Sequence, residues 1–267
     1  MIGRHIRKHK TLNESIQNEK VAQVFLLNPF SGATTTNDAD LRAIKQIVIQ
    51  KHITLIVHGA YVDNPWSSGS IELIKRELDM CHKCAASGLI VHLGTKTNES
   101  ISAVLHKIIK EVKQDVLDNV TLWLEINSAK QSNNTFESPA KLNKLFTIIN
   151  EITRGSTLLV GLCIDTAHLW ACGVSMSTYN NAQSWLNALK VSPIMFHLND
   201  SSSELASGKD VHAPLCQGKI WHDHKRKLAE SGIACIINYA KKNKCVIILE
   251  RHDDDIEQDM AVLKKLI

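Results

Sequence analysis

Imidazole and carboxylate side chains stand at or near the ends of six consecutive apolar segments of this 267-residue chain. The residues at these ends are His58, His92, Glu125, Asp165, His197 and Glu250. Three more of the same types follow closely: His168 lies three residues after Asp165, and Asp210 and His212 share a later polar segment. Nitrogen and oxygen ligands without thiolates suit zinc, manganese or a related divalent ion. The nine residues therefore predict a metal site.

The number of candidate ligands indicates more than one ion. Five His, two Asp and two Glu exceed the needs of one four-coordinate ion, so two or three metals are expected. A bridging carboxylate such as Glu125 would hold two ions near each other. Such a cluster generates hydroxide at neutral pH and stabilises both oxygens of a phosphoryl transfer. A lone His at a strand end is usually solvated or hydrogen-bonded, but six coincidences on consecutive segments are improbable.

Eight apolar, β-rich segments must position these residues. They span 2–6, 22–27, 53–58, 89–92, 120–125, 158–165, 194–198 and 246–250. Helical spacing occupies 70–87, 101–112, 139–152, 182–189, 225–241 and 257–266. Near-continuous apolar strands alternating with helices indicate parallel strands covered on their outer side. The pattern predicts an α/β fold, a (β/α)8 TIM barrel, whose strand ends converge on one mouth. A doubly wound open sheet is the alternative, but no Gly-rich turn follows the first segment.

Composition describes an ordinary globular protein, with 44% hydrophobic and 22% charged residues. We expect a single domain over residues 1–267. No apolar run is long enough to span a bilayer, and the first ten residues lack the apolar stretch of a signal peptide. Seven cysteines, an odd number, suggest reduced thiols inside a cell.

The net charge of +4 is concentrated at the start of the chain. Arg4, Arg7, Lys8 and Lys10 carry the whole excess, because the remaining residues sum to zero. A disordered basic tail is one reading. In a barrel, residues 7–10 form the loop after the first strand. That loop lies at the end of the barrel where the candidate metal ligands are expected. Arg7, Lys8 and Lys10 are then expected to contact phosphates.

Two other sets of metal-ligand types have simpler explanations. Cys81 and Cys84 form a CxxC, but no second CxxC accompanies it, so core cysteines are expected rather than a zinc ribbon. Six further histidines fall on helical or loop segments and are expected at the surface: His52, His82, His106, His222, His224 and His252.

Six sequence blocks together resemble the motif set of endonuclease IV, the zinc-dependent apurinic/apyrimidinic (AP) endonucleases. The blocks are IVHGAYVDNPWS, LIVHLG, WLEIN, GLCIDTAHLWACG, MFHLNDS and DVHAPLCQG. The wording is most similar to the compact versions encoded by large DNA viruses. The resemblance implies a TIM barrel that cuts double-stranded DNA 5′ to an abasic nucleotide, leaving a 3′-hydroxyl and a 5′-deoxyribose phosphate.

The resemblance also implies three zinc ions and a role for each ligand. The first would be held by His58, His92 and Glu125; the second by Glu125, Asp165, His197 and Glu250; the third by His168, Asp210 and His212. Glu125 and Glu250 would be the catalytic carboxylates, with Glu250 orienting the attacking hydroxide. Further implications are an intracellular location (cytoplasm or nucleus, or host cytoplasm or virion for a viral protein), a monomer and no membrane partner.

Family members also insert side chains into the duplex. Tyr61 matches the inserted tyrosine, and Val62 stands where a larger aliphatic residue is common. The loop after the second strand lacks the family's Arg and instead carries Phe30. Phe30 either wedges between bases or packs against the barrel rim.

Two other classes of protein remain as alternatives. Xylose-isomerase-like sugar isomerases and epimerases share the architecture and use one or two manganese ions, but they have no need of Asp210 and His212. A non-catalytic DNA-binding module would explain the basic start of the chain, yet it leaves nine converging ligands without a purpose.

Overall fold

Eight parallel strands form a closed barrel in the computed structural model, within the part of the chain that it describes. The described residues are 1–7, 9–16, 19–61, 65–94, 98–130, 132, 135–224, 227–251 and 256–266. The barrel strands are β1 Ile2–Ile6, β2 Val21–Val24, β3 Thr54–His58, β4 Gly88–His92, β5 Thr121–Glu125, β6 Val160–Asp165, β7 Ile194–His197 and β10 Ile247–Leu249. Around the barrel they run β1-β10-β7-β6-β5-β4-β3-β2. The predicted α/β TIM barrel is confirmed.

Helices follow the strands along the chain. They are α1 Leu12–Ser15, α2 Asp38–Lys51, α3 Ile71–Lys83, α4 Asn98–Glu111, α5 Gln114–Asn119, α6 Pro139–Ile152, α7 Thr166–Ala171, α8 Tyr179–Ala188, α9 Gly232–Asn243 and α10 Ile256–Lys264. The helix predicted over 225–241 begins instead at Gly232, because Ser231 caps its first turn by accepting from the N–H of Ala234. Short 3-10 helices cover His9–Thr11, His222–His224 and Leu228–Glu230.

The chain packs as two compact units. The N-terminal unit comprises His5–Glu125 and Leu145–Gly161; the C-terminal unit comprises Met1–Arg4, Ile126–Lys144 and Leu162–Ile267. The prediction of one domain over 1–267 stays a prediction.

Strand register in the N-terminal unit places His92 level with Glu125 and places His58 two residues short of His92. His92 pairs with Glu125 across β4 and β5, and His58 pairs with Ile90 across β3 and β4. A buried aliphatic residue precedes the last position of each strand: Val57 in β3, Val91 in β4 and Leu124 in β5. The polar side chains therefore begin where the apolar core ends.

The C-terminal unit has the same arrangement. Asp165 pairs with His197 across β6 and β7, and His197 pairs with Ile248 of β10. A two-stranded antiparallel ribbon, β8 Asp200–Ser201 and β9 His212–Ala213, joins the end of β7 to the later loop. Its register places Ser201 opposite His212. The ribbon thus returns the Asp210–His212 segment toward the strand ends of its own unit.

The basic start of the chain differs in part from the prediction. Arg4 is buried, and its guanidinium donates to Glu257 over 2.7 Å. Lys10 is exposed, but it lies in a 3-10 helix rather than in an open loop, because buried His9 ties that turn to the core. Arg7 is exposed, and Lys8 lies outside the described residues.

Candidate metal centre

Two histidines and one carboxylate converge in the N-terminal unit. Oε2 of Glu125 lies 3.0 Å from Nε2 of His58 and 3.1 Å from Nε2 of His92. Glu125 and His58 are closed off from solvent, whereas His92 is 26% exposed. These three residues form the first cluster.

A second cluster lies at the strand ends of the C-terminal unit. Nδ1 of His197 is 3.2 Å from Oε2 of Glu250 and 3.9 Å from Oδ2 of Asp165. Asp165 also caps α7, since its Oδ1 accepts from the N–H of His168 over 2.9 Å. This cap fixes the backbone of His168 in the first turn of α7, three residues after Asp165.

Asp210 joins two histidines within the same unit. Its Oδ2 lies 3.1 Å from Nε2 of His168, and its Oδ1 lies 3.0 Å from Nε2 of His212. The ligand atoms of Asp165, His168 and His212 all lie within 4.8 Å of one another. The structure therefore brings together six of the predicted ligands in this unit and three in the other.

Three of the histidines share one hydrogen-bonding pattern. Nδ1 of His58 meets the carbonyl of Gly59 at 2.8 Å, Nδ1 of His168 that of Ile126 at 2.6 Å, and Nδ1 of His212 that of Glu250 at 3.1 Å. A carbonyl only accepts, so each Nδ1 carries the proton. The Nε2 of a neutral ring then points a lone pair at a carboxylate.

Two acceptors about 3 Å apart require a cation or a second proton between them. In a metal site the histidine Nδ1–H is typically held by a carbonyl while Nε2 binds the ion. Nε2 of His212 lies 3.0 Å from Oδ1 of Asp210 and 3.8 Å from Oδ2 of Asp165, so a proton or a cation must lie between these atoms. The donor set therefore fits a divalent ion with nitrogen and oxygen ligands.

Protonation shifts in this cluster follow from the same geometry. Burial lowers the pKa of His212, but Asp210, Asp165 and Glu250 outweigh it and raise that pKa to about 9. Burial likewise raises the pKa of Asp210, whereas hydrogen bonds and charge from His168 and His212 hold it well below its usual range. The strong field of carboxylates that holds a proton here would equally hold a cation.

Two exposed aromatic side chains adjoin the first cluster. The ring centre of Tyr61 lies 5.0 Å from that of His58 and 5.3 Å from that of His92, and the side chain is 40% exposed. The ring of Phe30, 6.0 Å from that of Tyr61, is 82% exposed. This exposure argues against the interpretation that Phe30 packs against the barrel rim. Val62 lies outside the described residues.

Sequence patterns missed two buried polar residues near these clusters. Asn199 bonds to both Asp165 and Glu250. Glu77 accepts from the N–H of Ala60, two residues after His58. Burial raises the pKa of Glu77 to about 7. The one available signal for Glu77 was its place on the inward stripe of α3.

The simpler explanations for the remaining cysteines and histidines are confirmed where the structure describes them. Cys81 and Cys84 are free and buried, and burial raises the pKa of the Cys84 thiol to about 12. The other histidines expected at the surface are exposed or half-buried: His52, His82, His106, His222 and His224. His252 lies outside the described residues.

Barrel strands with histidine and carboxylate clusters at their carboxyl ends define a TIM-barrel protein with candidate metal ligands. The chain belongs to the xylose isomerase-like TIM barrel family, whose model matches residues 21–266. A probable AP endonuclease of African swine fever virus (isolate Tick/South Africa/Pretoriuskop Pr4/1996) is 35% identical over 243 residues, covering 87% of this chain and 79% of the relative.

Solved structures agree with this placement. The crystal structure of AsfvAP:AG matches with a TM-score of 0.88 at 28% identity, over 100% of this chain and 98% of that chain. Endonuclease IV from Thermus thermophilus matches with a TM-score of 0.76 at 20% identity over 99% of each chain, a likeness of fold. The resemblance drawn from the motifs is confirmed. Separately, none of the described helices is long and apolar enough to cross a membrane.

Proposed function

We propose that this chain is a DNA-repair AP endonuclease. It would hydrolyse the phosphodiester 5′ to an abasic site in double-stranded DNA, leaving a 3′-hydroxyl and a 5′-deoxyribose phosphate. The observation that carries the proposal is the pattern shared by His58, His168 and His212, each with Nδ1 on a carbonyl and Nε2 facing a carboxylate. The similarity to a viral probable AP endonuclease supports the substrate class.

The cofactor we propose is three zinc ions per chain. The carboxyl ends of the strands of a parallel barrel open at one rim, where we propose that the ions bind. The first ion would be held by His58, His92 and Glu125; the second by Glu125, Asp165, His197 and Glu250; the third by His168, Asp210 and His212. When bound, zinc lowers the pKa of water and offsets charge on the attacking and leaving oxygens.

The carboxylates would then have different tasks. Glu250 is 12% exposed, whereas Glu125 is fully enclosed. Glu250 would therefore take the proton of the attacking water on its carboxylate and hold that water in line with the scissile bond. Glu125 would stay ionised between His58 and His92. His168, Asp210 and His212 would hold the ion that offsets the negative charge on the departing 3′ oxygen.

DNA contacts form the second part of the proposal. Tyr61 and Phe30 present neighbouring aromatic faces, on which unstacked bases or the abasic gap can rest. Arg7, Lys8 and Lys10 would contact phosphates, and Val62 would accompany Tyr61 in the duplex. We also propose that the chain acts as a monomer inside the cell, without a membrane partner.

Sugar isomerisation is the second candidate, favoured only by the description of the family. The Asp210–His168 and Asp210–His212 contacts oppose it, because an isomerase with one or two manganese ions does not need this third set of ligands. Metal analysis of the purified chain, combined with incision of a duplex carrying one abasic analogue, separates the two. About three zinc per chain with incision supports the nuclease; one or two manganese without incision supports the isomerase.

A further inference from the structure

Asn199 is fixed in place beside the ligands of the C-terminal unit. It lies two residues beyond the end of β7 and is 1% exposed. Its N–H donates to Thr166 Oγ1 over 2.9 Å, and that hydroxyl donates to the carbonyl of Asn199 over 2.7 Å. Because Thr166 directly follows Asp165, the backbone of Asn199 is tied to the start of α7.

The side chain of Asn199 joins two candidate ligands that are far apart in the sequence. Its Nδ2 donates to Oδ2 of Asp165 over 2.7 Å and to Oε2 of Glu250 over 3.2 Å. Its Oδ1 accepts from the N–H of Glu250 over 3.0 Å. The amide nitrogen of Asn199 therefore donates to both Asp165 and Glu250, and its carbonyl oxygen accepts from the backbone of Glu250.

A residue at position 199 must donate hydrogen bonds to two carboxylates without carrying a charge itself. Asp165 and Glu250 must both be ionised to bind a metal, and two carboxylates that lie close together repel each other. An amide offers each oxygen a hydrogen bond without adding charge. A carboxylate at position 199 would add a third negative charge, and an aliphatic side chain would leave the two oxygens without these donors.

We propose that Asn199 is a positioning residue, which holds Asp165 and Glu250 at the separation and rotation that the metal requires. The inference deepens the proposed function and rests on Asp165 and Glu250 being ligands. Residues that orient metal ligands in this way typically contribute about 10- to 100-fold to metal affinity or activity. Asn199 would therefore set metal affinity and turnover rather than DNA binding.

The test compares Asn199→Ala and Asn199→Leu with a matched control, Asn143→Leu. Asn143 has the same two-ended pattern, donating to the carbonyl of Ala188 over 3.0 Å and accepting from the N–H of Lys190 over 2.8 Å. For each variant, zinc affinity is measured by chelator competition, and the visible spectrum is recorded after cobalt(II) substitution. The midpoint of thermal unfolding, kcat and KM on an abasic duplex complete the set.

We expect both Asn199 variants to fold, to bind zinc about 10- to 100-fold more weakly, and to show an altered cobalt spectrum. Their kcat should fall with little change in KM, and Asn143→Leu should match wild type throughout. Wild-type zinc affinity and cobalt spectrum in the folded Asn199 variants would overturn the proposal. Unfolding of both, beside a folded Asn143→Leu, would assign Asn199 a structural role and overturn it too. A wild type that binds zinc but never cuts abasic DNA contradicts the proposed function alone, since the zinc and cobalt measurements still decide the role of Asn199.

Discussion

Nε2 of His58 lies 3.0 Å from Oε2 of Glu125, and neither side chain reaches solvent. The Nδ1 proton of His58 is committed to the carbonyl of Gly59, so Nε2 faces the carboxylate with its lone pair when the ring is neutral. This pair gives the most direct reason to expect a cation in the N-terminal unit. The predictions that follow test the ligands, the general base, the DNA path and the fold.

Glu125→Gln should lower the zinc content, because an amide has the shape of the carboxylate without its charge. We expect loss of at least one zinc per chain after dialysis and at least about a tenfold fall in turnover. Elemental analysis gives the zinc count. Glu137→Gln is the control, since Glu137 is equally buried but pairs with Lys141. Equal zinc in both variants would remove Glu125 from the ligands.

His212→Ala should cut turnover strongly, because it leaves Asp210 and His168 without the third member of their set. His82→Ala is the control: His82 lies 3.4 Å from the carboxylate of Asp115 at the surface. Steady-state kinetics on an abasic duplex provide the comparison. Unchanged kinetics in His212→Ala would show that the Asp210–His212 segment does not bind a catalytic metal.

Glu250→Gln should nearly abolish cleavage while DNA binding stays measurable. The amide cannot take a proton from water, and general-base catalysis typically contributes about 10²–10⁴-fold. Single-turnover cleavage and a binding titration on the same abasic duplex separate the two effects. Cleavage close to the wild-type rate would contradict the role given to Glu250.

Arg7, Lys8 and Lys10 should govern the salt dependence of DNA binding. Their joint replacement by Ala should weaken binding and reduce the slope of log affinity against log salt by about one for each phosphate that is no longer neutralised, with zinc content unchanged. The control replaces three exposed lysines, Lys107 and Lys110 near the end of α4 and Lys113 just before α5. Equal slopes in the two variants would mean that the basic start of the chain does not contact DNA.

Glu77 should make the metal-free chain less stable as the pH rises. Its pKa is about 7 in the fold against an ordinary value of 4.5, so the folded chain keeps a proton that the unfolded chain releases. The free energy of unfolding therefore falls as the pH rises from about 4.5 to about 7, and the loss is complete above that window. Glu77→Gln removes the buried charge and should be more stable than wild type by about 1–3 kcal/mol at pH 8.

Urea unfolding at pH 5 and pH 8, with chelator present throughout, measures that difference. The advantage of Glu77→Gln should nearly vanish at pH 5. A variant equally or less stable than wild type at pH 8 would show that Glu77 is not a buried acid with a raised pKa.

Much of the barrel, and the clustering of the candidate ligands, could be predicted because the signal is local. Each strand is a short apolar run, and the polar residue at its end marks where the core stops, as with His58 and Asp165. Helix α2 was missed because only Leu41, Ile44 and Val48 of its 14 residues are buried, which leaves a thin apolar stripe. Its capping box at Asn37 was the stronger signal.

The rest depends on contacts between distant segments. Asn199 joins residues 34 and 51 positions away, and no spacing pattern reveals such a bridge. Arg4 pairs with Glu257, which is 253 positions away in the sequence. Glu257 of the C-terminal helix therefore neutralises one of the four positive charges at the start of the chain. Such pairs are visible only once the strands are in register.

Incision of a duplex carrying one abasic analogue tests the central claim most directly. The DNA is labelled on the damaged strand and incubated with the zinc-loaded chain, with and without chelator. The account predicts a single cut on the 5′ side of the abasic site, a product ending in a 3′-hydroxyl that a polymerase extends, loss of cutting with chelator and recovery with added zinc. An intact duplex after incubation with the zinc-loaded chain, or cutting that chelator leaves unchanged, would contradict it.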